Sequence, residues 1–537
     1  MRNRIPGFLI VIVLLLTLVQ CAKKGMPEGG PRDEEPPEFI RANPENYTTN
    51  FSREEIRIFF DEYVKLKNPQ QQVIISPPMN PRPSILPLGT ARRDVQIEIF
   101  DTLQENTTYT INFGKSIIDN NENNPLNYFK YVFSTGDYID SLEVGGTVED
   151  AYLKKPADFI SVFLYEVDST FSDSVVYQRT PRYVTYTRDS TNIFQLENLK
   201  AGTYQMLAIM DENDNYLFNP KNEKIGFVED FITIPTDSTY EITLFQEELE
   251  FEIQRPKQLK GQQIVFGYEG VLDLDSVRIE LLNPKPEDFT SRIVQDRETD
   301  SLYYWYRPTL ETDSLTFEVF SPERRDTLFA RIAEMERDSL NISVTPSGNI
   351  GFDQEVFLRA NTPLVESNDS LISIMNQDSI FIPFSTELRL LENELRISFE
   401  KEESSQYSIQ VLPGTVVDMF EATNDTLTQR VSTKAFSEFG NITFRLQNVQ
   451  QYPVLVQLTD LKGEVIREKY STGESVISFG NINAGEYFMR IIFDRNENRK
   501  WDTGNYLKKL KPERIEYFPD TLDIRANWDM DELFILD

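Results

Sequence analysis

One stretch of this chain occurs twice, and it restricts the fold more than any other feature. Asn198 to Asn219 reads N-L-K-A-G-T-Y-Q-M-L-A-I-M-D-E-N-D-N-Y-L-F-N, and Asn481 to Asp502 reads N-I-N-A-G-E-Y-F-M-R-I-I-F-D-R-N-E-N-R-K-W-D. Ala201/Ala484, Gly202/Gly485, Tyr204/Tyr487, Met206/Met489, Ile209/Ile492, Asp211/Asp494, Asn213/Asn496 and Asn215/Asn498 align without a gap. In each copy a Gly turn leads into a strand that starts at the Tyr. The strand ends in a loop with an acidic or amide side chain at every second place. That alternation sets the side-chain oxygens on one side of a tight loop, where a hard cation or the loop's own amides can use them. A unit used twice makes the chain a string of modules.

At 537 residues the chain exceeds what one hydrophobic core supports, and three to five domains are expected. Glu55–Phe60, Asp94–Phe100 and Thr108–Phe113 alternate polar and apolar residues at period two, which predicts half-buried antiparallel strands. Gly, Asn, Asp and Pro turn signals recur throughout, so the expected fold is all-β: tandem β-sandwich modules in an elongated array. A net charge of -33 repels nucleic acid and anionic lipid. The sequence contains no histidine, which removes Ser-His-Asp and Cys-His nucleophile systems and imidazole metal sites. A pair of carboxylates suffices for a glycosidase, but nothing marks out such a pair among 87 acidic residues. The chain reads as a protein that is not an enzyme.

The N-terminus indicates the compartment. Arg2 and Arg4 precede an apolar run from Phe8 to Val19, too short to span a bilayer and right for a signal-peptide core. Leu18-Val19-Gln20-Cys21 resembles the lipobox of bacterial lipoproteins, with Gln20 where that family places a small residue. The resemblance implies that residues 1–20 are removed and that Cys21, the only cysteine, carries the lipid. A Gly/Pro/Glu tether over 21–35 follows, and Ala22 in place of Asp favours the outer membrane, on its periplasmic face or at the cell surface.

The modules are expected at 36–137, 138–248, 249–345, 346–437 and 438–537. The opening from Cys21 to Phe39, Phe59-Phe60-Asp61-Glu62-Tyr63, Val73 to Pro78, and Tyr109 to Asp119 leading to Phe133-Ser134-Thr135-Gly136 resemble bacterial Ig-like domains of the surface-layer SbsA type, as found in Bacteroidota lipoproteins. Gly145-Gly146-Thr147-Val148 with Asn198, Leu199, Gly202 and Tyr204 is similar to the prealbumin-like sandwiches known as carboxypeptidase regulatory-like domains, which are accessory and not catalytic. Tyr407 to Asp418 echoes Tyr109 to Asp119, so the fourth module is expected to be a second Ig-like sandwich and the fifth a second prealbumin-like one. A helical stretch is predicted over Leu328–Arg337.

Three features could carry chemistry. Asp211, Asn213, Asn215 and Asn219, and likewise Asp494, Asn496, Asn498 and Asp502, have the first, third, fifth and ninth places of a calcium loop, without its sixth-place Gly or twelfth-place Glu. Either Ca2+ or an Asx-rich turn accounts for that pattern. Asp-Ser/Thr-aliphatic tripeptides at Thr102, Ser141, Ser314, Thr327, Ser339, Ser370, Thr426 and Thr521 are similar to the O-glycosylation acceptor of exported Bacteroidota proteins, and equally suit turns into strands. Tyr303-Tyr304-Trp305-Tyr306 offers either a sugar-stacking platform or one strand with a buried face. Together these readings give a noncatalytic scaffold or docking subunit for an outer-membrane partner. The Ig-like resemblance extends this to an outer-membrane assembly or export machine. The alternative is a lipoprotein that binds glycan or surface polymer.

Overall fold

The computed structural model describes residues 33–537 except 156, 189–190, 273–275, 297 and 322–323. The expected signal peptide, Cys21 and the expected tether as far as residue 32 lie outside the described residues. Strands dominate, as the period-two pattern requires. Among the described residues the helical elements are the four-residue turn Pro69–Gln72 and three short 3-10 turns, and no helix is long and apolar enough to cross a membrane.

The chain divides into two compact units, the first holding the described residues up to Glu143 together with Arg182–Val184 and Leu196–Ala201. Its strands are β1 (Phe39–Asn43), β2 (Glu55–Leu66), β3 (Ile74–Ser76), β4 (Ser84–Leu86), β5 (Arg92–Glu98), β6 (Thr108–Asn112), β7 (Ile117–Asp119) and β8 (Lys130–Ser134). One sheet runs β1-β2-β5-β4 with β7 on the far end of β2, and the other runs β3-β6-β8. Alternate residues of β2 and β5 (Ile56, Ile58, Phe60, Val95, Ile97) meet Tyr109, Ile111, Tyr131 and Phe133 of the facing sheet in one core. Three polar locks fix the loops. The Tyr109 hydroxyl accepts the Gln104 N–H at 2.9 Å. Thr135 Oγ1 accepts the Thr107 N–H at 3.0 Å and donates to the Gln104 carbonyl at 2.6 Å. Asp119, buried at the end of β7, accepts the N–H groups of Asn121, Glu122, Asn123 and Asn124. Burial alone would raise its pKa, but these four donors lower it below the ordinary carboxylate range.

The second unit contains the remaining sandwiches. Its region 342–433 repeats the strand plan of the first unit. Ile342–Thr345, Val356–Ala360, Glu394–Phe399 and Phe384–Arg389 pair in the order of β1-β2-β5-β4, and Leu364–Ser367 pairs with Val416–Asp418 as β2 does with β7. The locks recur as well. The Tyr407 hydroxyl accepts the Glu402 N–H at 2.6 Å, Thr433 Oγ1 accepts the Ser405 N–H at 3.1 Å and donates to the Glu402 carbonyl, and Asp418 accepts the N–H groups of Phe420 and Ala422.

The duplicated stretch lies in two sandwiches that also share a plan. The first contains β9 (Leu142–Asp150), β10 (Ser161–Glu166), β11 (Tyr183–Tyr186), β12 (Ile193–Leu199), β13 (Gly202–Ile209), β14 (Lys224–Phe227), β15 (Ile232–Ile234) and β16 (Thr239–Gln246). Strands β10-β13-β14 are adjacent, β15 pairs with β13, and the last strand, β16, runs parallel to β9. In the second, Val454–Thr459, Gly485–Phe493 and Ile515–Tyr517 are adjacent, Leu522–Ile524 pairs with Gly485–Phe493, and the last strand, Asp529–Ile535, runs parallel to Phe439–Gln447.

Between these regions, residues 251–332 form a further core around Phe266, Tyr304 and Phe317, whose rings contact edge to face. Here the predicted helix is replaced. Leu328–Arg331 completes the strand Arg325–Arg331 paired with Ser314–Phe320, and residues 332–341 form no helix. Leu328 and Ala330 alternate inward, so the period of two carries the strand as far as Arg331, and the Ala-Glu-Met-Glu-Arg run beyond it is irregular, with the Ala333 N–H donating to Gln258 and the Glu336 carbonyl accepting the Gly261 N–H. Tyr304, Trp305 and Tyr306 are all buried, Trp305 against Val294, Met419 and Phe420. This strand is core on both faces and offers no platform for a sugar.

Candidate functional site: the paired loops and the contact they make

Strand β13 ends at Ile209 and its duplicate at Phe493, and each releases the chain into the acidic loop. The two loops turn alike. Asp214 and Tyr216 have φ of 52° and 59°, and the matching Glu497 and Arg499 have 63° and 62°. Left-handed residues separated by one place curl the chain so tightly that successive N–H groups point at the first Asp. Asp211 accepts from the N–H of Asn215 at 3.2 Å and of Tyr216 at 2.8 Å, and Asp494 from those of Asn498 at 3.1 Å and Arg499 at 2.8 Å. Asn215 accepts from Leu217 N–H, and Asn498 from Lys500 N–H, both at 2.8 Å.

The loop bases are closed by two residues that the spacing rules miss. Glu223 is fully buried and accepts the N–H groups of Asn219 at 2.8 Å and Glu212 at 3.2 Å, with the Asn213 amide at 3.3 Å. Glu513 is also buried, and it accepts the N–H groups of Arg495 at 2.7 Å and Asp502 at 3.2 Å. Position for position these are the same bonds. Burial pushes both carboxyls above the ordinary range, and the N–H donors offset only part of the rise. Glu223 stands one place after the twelfth, but Glu513 lies so far downstream that no spacing rule could select it.

Of the eight candidate calcium ligands, the structure brings the second set closest together. The Asn496 and Asn498 amides donate to Asp502, at 2.6 Å and 3.0 Å, beside Asp494. Asn219 instead turns its side chain to the Lys221 N–H at 3.2 Å. Among the described residues no three or more His, Cys, Asp or Glu side chains are grouped to hold a metal ion. The oxygens of Asp211 and Asp494 are occupied by N–H donors, as an Asx-rich turn requires. Of the Ser/Thr candidates, Thr102, Ser141, Thr327, Ser339, Ser370, Thr426 and Thr521 are exposed and Ser314 is half-buried. Several of the leucines that follow them enter cores, Leu315 and Leu522 completely.

The two sandwiches that carry the duplicate touch each other. Arg490, in the second copy's strand where the first has Leu207, is fully buried. Its guanidinium donates to Gln457 Oε1 at 2.6 Å, the Tyr152 carbonyl at 2.9 Å and the Tyr517 hydroxyl at 3.1 Å, and lies 3.9 Å over the Tyr152 ring. Tyr152 belongs to the first of the two sandwiches, so the arginine ties one to the other. Lys154 reinforces the contact through the carbonyls of Phe518 and Pro519, each at 2.7 Å. Here the side chains hold protein to protein with hydrogen bonds and ring faces.

Comparison with known proteins agrees with the first unit's plan. The family model of the bacterial Ig-like domain matches residues 33–135, and that segment is such a domain. No curated protein matches the sequence. Among solved structures, domains 1–6 of surface layer protein SbsC are 11% identical, with 91% of this chain and 67% of that chain covered at a TM-score of 0.16. The I9–I11 tandem of titin is 10% identical, covering 52% of this chain and 100% of that one at 0.13. The TIE protein of Bacillus anthracis is 10% identical, covering 98% and 78% at 0.14. Scores this low carry no inference about role.

Proposed function

We propose that this chain is a noncatalytic, lipid-anchored outer-membrane protein that serves as a scaffold or docking subunit for another outer-membrane protein, in an assembly or export machine. Its modules are 36–137, 138–248, 249–345, 346–437 and 438–537, with the lipid on Cys21 after removal of residues 1–20. The observation that carries this reading is the bacterial Ig-like domain at 33–135, whose Tyr, Thr and Asp locks return at 402–433. The chain's buried carboxylates Asp119, Glu223 and Glu513 accept backbone N–H groups, which gives them a structural part in the sandwiches. Exposed apolar side chains such as Ile380 and Phe381, 58% and 71% accessible, supply contact area for a partner. The aromatic run lends the glycan alternative little support, because Tyr304, Trp305 and Tyr306 are buried and Tyr303 is half-buried.

Affinity purification of the tagged, full-length chain from detergent-solubilised membranes tests this. A stoichiometric integral β-barrel partner supports docking. A chain recovered alone and retained on a glycan column supports the alternative.

A further inference from the structure

The two copies close their loops with the same buried glutamate at different distances. Three residues separate Asn219 from Glu223, whereas ten separate Asp502 from Glu513, seven more. The added residues form a small hairpin. Asn505 and Leu510 exchange backbone hydrogen bonds of 2.9 Å each, and the Lys509 N–H donates to the Tyr506 carbonyl at 3.0 Å.

The hairpin seats on the sandwich of the first copy. Tyr506 is fully buried, its ring 5.4 Å from that of Phe227 in T-shaped contact. Its N–H donates to Glu247 Oε1 at 2.6 Å and its hydroxyl to Asp173 Oδ1 at 3.3 Å. Lys509 Nζ reaches the same Asp173 oxygen at 2.6 Å, and Lys511 Nζ donates to the Phe227 carbonyl while lying 3.9 Å over its ring. Thr503 Oγ1 donates to the Gln246 carbonyl at 2.5 Å. Gly504 passes so close to Phe245 that an added Cβ would meet the ring at 2.8 Å.

We infer that the duplicated sandwiches have diverged into a plug and a socket, in which a tyrosine hairpin grown from the second acidic loop locks into a recognition surface on the first. The occupant this surface fits is an aromatic hydroxyl flanked by lysines. Lys508, Lys509 and Lys511 form a basic cluster in a chain of net charge -33, and they meet a socket that carries Asp173 and Glu247. The first copy cannot act as a plug, because three residues are too few to build the hairpin. This inference stands independently of the envelope role proposed above.

Two full-length variants test it. Deletion of Gly504–Leu510 restores the spacing of the first copy and keeps Asp502 and Glu513 at the loop base. Tyr506→Ala removes only the tip. Hydrogen exchange is followed at Asp173–Gln178 and Leu244–Glu247 of the socket, with Val454–Thr459 as the internal control for folding of the second copy. The expected result is exchange at least about tenfold faster in the socket in both variants, with the control strand unchanged. Socket exchange at the wild-type rate in Tyr506→Ala overturns the inference, whatever the deletion does.

Discussion

Glu513→Ala is the perturbation whose outcome follows most directly from the geometry. The substitution leaves the N–H groups of Arg495 and Asp502 without their acceptor in a site where the carboxylate is 3% accessible. Each orphaned donor costs about 1–3 kcal/mol, so opening the loop becomes easier by about 2–6 kcal/mol. Even the lower bound corresponds to about 30-fold in the opening equilibrium. A chain of several sandwiches has no single unfolding free energy, so the readout must be local. Amide exchange across Phe493–Glu513 should accelerate by about 30-fold or more, while Tyr407–Val411 in a different sandwich keeps its rate. Trp501 gives an optical check. Its indole donates to the Glu513 carbonyl at 3.0 Å and its ring lies 4.8 Å from Tyr152, so its emission, isolated by subtracting a Trp501→Phe blank, should shift to the red of its wild-type position. Acceleration of less than about threefold would refute the assignment of Glu513 as the residue that closes the loop.

Further outcomes follow from the same arrangement. Because burial raises the Glu513 carboxyl above its unfolded value, the folded loop binds that proton more tightly than the unfolded chain. Wild type should therefore gain stability relative to Glu513→Gln as pH falls through the raised folded value towards the unfolded one near ~4.3, and exchange measured across that window checks the sign. Removing either tyrosine hydroxyl lock, by Tyr109→Phe or Tyr407→Phe, should destabilise its own sandwich by about 1 kcal/mol and leave the other unchanged, as read by urea-dependent exchange. EDTA should leave thermal unfolding unchanged to within about 1 °C, since the oxygens of Asp211 and Asp494 already accept backbone N–H groups; a drop of several degrees reversed by Ca2+ would restore the cation reading. Cys21→Ser should release the chain from the membrane fraction, and mass spectrometry of the mature N-terminus reports the acyl chains directly.

Much of the architecture was legible because strand signals here are local. The alternation at Glu55–Phe60 survives in β2, Thr108–Phe113 contains the strand β6 but is buried on both faces, and the gap-free match of 198–219 with 481–502 exposed a duplication that the strand pairing shares. The Ala-Glu-Met-Glu-Arg run misled, since the residues before it, Arg325–Arg331, pair with Ser314–Phe320 and the run itself is held in irregular form against Gln258 and Gly261. At the loops, the sequence showed the oxygens but not what they would bind. That depended on left-handed backbone at Asp214, Tyr216, Glu497 and Arg499, which turns N–H groups inward. Glu513 and Tyr506 were hidden for a different reason. One acts across a ten-residue gap and the other on a different sandwich, and long-range contacts of this kind leave no periodic trace.

The most direct test of the proposed role is a quantitative pull-down of the tagged, acylated chain from solubilised outer membranes. A docking subunit should bring down one integral β-barrel protein in near 1:1 ratio, and a variant carrying charges at Ile380 and Phe381 should serve as a probe of one candidate contact surface. A chain that elutes alone, at its own mass and with unacylated Cys21, would contradict the account.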